Sequence, residues 1–148
     1  MKQVFKNFMN GVLVPLQEVP DVAFSHGTMG EGYAVLPDDG IAVAPFDATV
    51  EVVMPHSHAI GLRSKQGVEV LIHLGLQTKE QEASLFTVFV QQGEEVHAGD
   101  KLLMMDMDKL TSNGVSLITP ITFTSGEHVQ LLKEGHAVVG EAGIIEIN

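Results

Sequence analysis

Turn signals punctuate this chain about every eight to twelve residues, and that spacing limits the fold more than any other feature. They include Pro37-Asp38-Asp39-Gly40, Lys65-Gln66-Gly67, Gln92-Gly93-Glu94, Ala98-Gly99-Asp100, Ser125-Gly126 and Glu141-Ala142-Gly143. Between them lie short runs rich in Val, Ile, Leu and Phe at 11–16, 33–36, 41–44, 49–54, 59–63, 68–74, 87–90 and 144–147. Runs this short cannot hold several helical turns, whereas β-branched and aromatic residues suit a pleated, half-buried surface. The pattern predicts an all-β protein, an antiparallel β-sandwich or barrel-like fold. Helix is confined to a turn or two at 79–84 and 108–113, the second opened by Asp106 or Asp108 as a cap.

Residues 1–148 are read as a single domain, with 1–10 a tail or an edge segment. A hydrophobic share of 45% is enough for a packed core. No apolar run approaches the roughly 18 residues of a membrane-spanning helix, and the N-terminal stretch lacks the apolar centre of a secretory signal. With no cysteine, disulfides and thiolate metal sites are excluded, in keeping with a reducing compartment. A net charge of -11 with eight Lys and Arg argues against nucleic acid and for a partner with a basic docking face.

The chemistry concentrates in the segment 56–76. If Lys65 and Gln66 are the two central residues of a hairpin turn, Ser64 pairs with Gly67, Leu62 with Glu69, Ile60 with Leu71 and His58 with His73. Directly opposed residues share a face, their Cβ atoms about 5 Å apart. His58 and His73 then lie side by side, bordered by Ile60 and Leu71, while a one-residue slip sends them to opposite faces. A neutral imidazole offers one bare ring nitrogen as nucleophile and one N–H as donor, which suits phosphoryl transfer with aliphatic neighbours excluding water. His56, His58 and His73 form a competing candidate, three imidazole ligands to zinc in a hydrolase. A third alternative is a regulatory interaction protein on the same fold.

Further motifs carry a resemblance. Gly11 to Ser25, Met29 to Val35, Ala44-Pro45-Phe46-Asp47-Ala48-Thr49-Val50, His58-Ala59-Ile60-Gly61-Leu62, Gly67 to Leu76 and Gln92 to Asp100 cover most of the chain. In this order the chain resembles the glucose-type IIA domain of the bacterial phosphoenolpyruvate-dependent sugar phosphotransferase system. That resemblance implies an antiparallel β-sandwich called a duplicated hybrid motif. It also implies a cytoplasmic phosphotransferase component that takes a phosphoryl group from the phosphocarrier protein HPr on His73, with His58 supporting the transfer. The group then passes to a IIB domain of a sugar permease in the membrane, during coupled sugar uptake and phosphorylation. No cofactor and no metal are implied. Val22, Phe24, Met29 and Leu71, with Ile60, match the apolar rim where partners dock. Three places depart from the family: Gln77 stands where Asp is common, His56 stands two before the supporting histidine where Thr is frequent, and Ser125-Gly126-Glu127, after a turn read at Thr119-Pro120, stand where Asn-Met-Asp is common.

A second, shorter likeness is to lipoyl and biotinyl carriers around Gly93, Gly99 and Lys109, but Met107-Asp108 precedes the lysine, which is read as a surface residue. Gly27, Gly30 and Gly32 precede no helical pattern and are read as turns. No role is assigned to His26, His97, His128 or His136.

Overall fold

The computed structural model describes residues 3–148, and nearly all its regular structure is strand. The first half of the chain forms β1 (Gly11–Pro15), α1 (Val22–Ser25), β2 (Glu31–Pro37), β3 (Ile41–Val43), β4 (Ala48–Val53), β5 (Ala59–Ser64) and β6 (Glu69–His73). The second half forms β7 (Phe86–Val88), β8 (Glu95–Val96), β9 (Lys101–Met105), α2 (Met107–Ser112) and β10 (Thr119–Phe123). It ends with β11 (Val129–Leu131), β12 (Gly135–Ala137) and β13 (Ile145–Ile147). All pairings are antiparallel: an eight-stranded sheet ordered β12-β1-β2-β10-β6-β5-β4-β8, a three-stranded sheet β3-β9-β7, and the pair β11-β13. The inner faces of the two larger sheets share one apolar cluster, with Ile60, Leu62, Val70 and Ile72 from one and Ala42, Leu103, Phe86 and Met105 from the other. This is the antiparallel sandwich expected from the turn spacing. No helix of the described residues is long and apolar enough to cross a membrane.

The β5–β6 hairpin differs from the predicted register by one residue. Its loop holds three residues, Lys65, Gln66 and Gly67, and the glycine takes a left-handed φ of 87°. Gly67 N–H donates to the Ser64 carbonyl at 3.0 Å and Ser64 N–H to the Val68 carbonyl at 2.9 Å, the pattern of a turn followed by a glycine bulge. The pairs are therefore Ala59 with His73, Ile60 with Ile72, Gly61 with Leu71, Leu62 with Val70 and Arg63 with Glu69. The reason is burial: the two-residue turn would have put Glu69 on one face with Ile60 and Leu62. The extra residue instead buries four aliphatic side chains and sets Glu69 opposite exposed Arg63. Ile60 consequently lies in the core, fully buried, and not on the rim predicted for it.

Three other expectations change. From residue 5 the N-terminal segment is part of the core: Phe5, Phe8 and Met9 are buried, and the Phe5 and Phe8 rings pack on Tyr33 at 6.0 and 5.7 Å. Asn7 fixes the segment by accepting from the Tyr33 hydroxyl at 2.8 Å and donating to the Met9 carbonyl at 2.7 Å. The 79–84 stretch supplies only a short 3-10 turn, Ala83–Leu85, whereas the second helix forms as expected under an Asp106 cap. Strand β10 was hidden by Pro120, which is tolerated because that residue pairs with Ala34 of β2 beyond the stretch that β6 reaches.

Candidate active site

At the end of β6 the chain winds into a tight turn, and this turn holds His73. Gly75 has φ 71°, and a Cβ there would sit 2.7 Å from the Ser116 carbonyl oxygen and 2.9 Å from Thr78 Cγ2. Gly75 N–H donates to Thr119 Oγ1 at 3.3 Å, and the buried Thr78 hydroxyl donates to the Leu74 carbonyl at 2.7 Å. The turn so fixed aims the Gly75 carbonyl at His73, whose Nδ1 donates to it at 2.7 Å. A carbonyl can only accept, so the proton sits on Nδ1 and Nε2 is the bare nitrogen of the neutral ring.

His58 comes from the neighbouring turn at 54–57. Two non-glycine residues there, His56 at φ 65° and Ser57 at φ 59°, adopt the left-handed region. Ser57 N–H closes on the Met54 carbonyl at 2.9 Å, and the His58 carbonyl accepts from Leu74 N–H at 2.8 Å. His58 therefore stands just outside the regular ladder, at the open end of the hairpin, where the pleat no longer separates the two faces. The two imidazoles meet edge to face at 5.2 Å despite the register slip. Phe24 of α1 packs on the other side of His73 at 5.6 Å, and Phe86 lies 6.2 Å from His58.

Both rings are neutral near pH 7. Burial pushes His58 down to about 4, helped by repulsion from His73, His56 and Lys79. Burial also lowers His73, partly offset by its bond to the Gly75 carbonyl and by the Asp21 carboxylate. His58 Nδ1 is buried and has no hydrogen-bond partner among the described residues. The pair opens on a cavity of about 560 Å³ whose apolar wall includes Phe24, Met29, Met54 and Leu71. Asp21, Gln77, Lys79 and Glu80 complete its mouth.

Of the predicted rim residues, Phe24, Met29 and Leu71 line this cavity, and Val22 stands 67% exposed on α1 beside it. Ile60 does not, for the reason given above. The candidate zinc triad does not assemble: His56 Nδ1 donates to the Gln81 carbonyl at 2.8 Å, and among the described residues no three His, Asp or Glu side chains are grouped to hold a metal ion. Asp21, Met54, Lys79 and Glu80 were missed because each is brought in by a turn. Only Asp21 left a local signal, a helix cap that accepts from Ala23 N–H at 3.0 Å.

A family model described as phosphoenolpyruvate-dependent sugar phosphotransferase system, EIIA 1, matches residues 3–129. The glucose-specific EIICBA component of the phosphotransferase system from Staphylococcus saprophyticus is 42% identical over 139 residues, covering 93% of this chain and 20% of that protein. The corresponding component of Staphylococcus carnosus is 40% identical, covering 93% and 21%. The chain thus spans about one-fifth of the length of these relatives. The solved structure of glucose permease IIA from Mycoplasma capricolum is similar with a TM-score of 0.85 at 32% identity, over 97% of this chain and 93% of that one.

Proposed function

Because the chain belongs to the EIIA 1 family of the phosphoenolpyruvate-dependent sugar phosphotransferase system, we propose that it carries a phosphoryl group on Nε2 of His73. Phospho-HPr is the donor and a IIB domain of a sugar permease the acceptor, on the cytoplasmic side of the membrane. The names of its relatives point to glucose as the sugar class. The observation that carries the reading is the 2.7 Å bond from His73 Nδ1 to the Gly75 carbonyl, which leaves a fixed imidazole with one bare nitrogen in an apolar cavity.

In the transfer, the bond from phosphorus to the donor imidazole breaks as the bond from Nε2 of His73 forms. The proton stays on His73 Nδ1, still donated to the Gly75 carbonyl. The product ring holds one positive charge beside the phosphoryl group, as the donor's phosphorylated ring did before, so no net proton moves. Catalysis here is positioning and charge stabilisation. His58 supplies a donor: with Nδ1 buried and unpaired, its proton belongs on Nε2, the nitrogen left to serve a phosphoryl oxygen. Phe24, Met29 and Leu71 keep water from the P–N bond, and with exposed Val22 they offer the docking face. A net charge of -11 speeds encounter with a basic partner.

The test is direct. Incubated with phosphoenolpyruvate, enzyme I and HPr, the wild-type chain takes up acid-labile phosphate and His73→Gln does not. His58→Gln takes up label but passes it on slowly. Absence of label on wild type with active partners, or full label on His73→Gln, overturns the proposal.

A further inference from the structure

The cavity around the two histidines is short of positive charge for the group it would hold. Among the residues lining it, Lys79 alone carries a fixed cation, while Asp21 and Glu80 bring two carboxylates. Before transfer both imidazoles are held neutral by burial, and after it only the His73 ring carries a positive charge, one against the phosphoryl group and the two carboxylates. A phosphoryl group on nitrogen adds up to two negative charges spread over three oxygens. Against an apolar wall that charge is costly unless a cation meets it.

We propose that Lys79 is a phosphoryl-binding residue, its ammonium pairing with the oxygens of the group on His73 and setting how firmly the protein holds it. The inference rests on His73 being the acceptor. The backbone brings Lys79 to the place: it follows Thr78, whose buried hydroxyl anchors the turn to Leu74, and Gln81 N–H closes the next turn on the Thr78 carbonyl at 3.0 Å. Lys79 is exposed, and among the described residues it makes neither a salt bridge nor a side-chain hydrogen bond. Its four-carbon stem and three rotatable donors can therefore turn to the phosphoryl group without first breaking a bond. Gln77, which also lines the mouth, is neutral and does not compete for the ammonium. The charge of Lys79 already acts on His58, so the ammonium lies within electrostatic reach of the pair.

During transfer the P–N bond to the donor breaks, the P–N bond to His73 forms, and Lys79 keeps all its protons. Its part is purely electrostatic: it favours the phosphorylated protein over the unphosphorylated one. Occupancy at equilibrium with the donor should rise with the cation and fall without it.

The experiment poises the full chain against phospho-HPr and HPr at fixed ratios and reads the phosphorylated fraction, with the phosphorus resonance titrated against pH. Lys79→Ala is expected to lower the phosphorylation equilibrium constant roughly three- to tenfold and to move the phosphoryl titration to higher pH. Lys79→Arg should restore both. Melting curves of the variants should coincide, since the side chain is exposed. An equilibrium constant and titration unchanged in Lys79→Ala, or a loss that Arg does not restore, would overturn the inference and leave the acceptor reading standing. An unlabelled wild type with active partners, or label on His73→Gln, overturns the acceptor reading and this inference with it.

Discussion

His73 and Gly75 are joined by a 2.7 Å bond from an imidazole Nδ1 to a carbonyl only two residues along, and the glycine can make it only because its φ is 71°. That backbone position excludes a side chain twice over, by the left-handed φ and by contacts of 2.7 and 2.9 Å to Ser116 and Thr78. Gly75→Ala is expected to destabilise the fold by about 1–3 kcal/mol and to loosen the His73 tautomer. Denaturant unfolding reads the first effect and nitrogen chemical shifts of the ring the second. Unchanged ring shifts would show that the turn does not hold the proton on Nδ1.

The histidine pair makes stability depend on pH. Above about pH 6.5 the unfolded and folded chains both carry these rings neutral, and the site costs nothing in proton binding. Between 6.5 and about 4 the unfolded chain protonates its histidine while folded His58 does not, so the unfolded state binds more protons and stability falls as pH falls. Below about 4 both states are protonated and the loss levels off. Solvent at the open end of the hairpin screens the effect, so the expected contribution is roughly 2 kcal/mol rather than the roughly 3 of the full window, and His58→Gln should flatten that part of the profile in urea titrations at stepped pH. The lowered value of His73 also predicts that phosphorylation persists below the pH at which a free imidazole protonates.

Much of this architecture was legible because turn residues and β-branched runs report on local backbone, and those local preferences agree with the final sheets. The register of β5 and β6 was not, because one glycine at position 67 converts a two-residue turn into a three-residue one. That choice is made by where Glu69 and four aliphatic side chains end up, which is a tertiary matter. The imidazoles still meet, since His58 lies past the last regular pair, where alternation has no hold. Pro120 concealed a central strand, and Asn7 with its aromatic neighbours turned an apparent tail into core. Asp21, Lys79 and Glu80 reach the cavity from turns, and periodicity says nothing about turns.

His56 ties the 54–57 turn to the segment that follows Lys79 and Glu80. Its Nδ1 donates to the Gln81 carbonyl at 2.8 Å while its own backbone sits at φ 65°. His56→Ala removes the bond and keeps the strain, so a loss of about 1 kcal/mol is expected. His56→Gly removes the bond but relieves the strain and should cost less. Amide exchange of residues 54–58 should quicken in both. If Ala and Gly are equally stable, the left-handed backbone stores no energy.

Ile60 and Val22 separate packing from docking. Ile60 faces Ile72 in the core and is fully buried, so Ile60→Ala should cost about 2–4 kcal/mol through lost burial and the cavity left behind. Once folded at low temperature, that variant should accept phosphate with a near-normal KM for phospho-HPr, because the buried side chain presents no surface for docking. Val22 is 67% exposed on a short helix whose Phe24 packs on His73. Val22→Asp should leave the unfolding midpoint within about 0.5 kcal/mol of wild type and raise the KM for the donor severalfold. Paired urea unfolding and phosphorylation kinetics on the two variants decide the matter. A raised KM in folded Ile60→Ala would mean that the face presented to the donor is the one predicted from the two-residue turn. An unchanged KM in Val22→Asp would move the docking face away from α1.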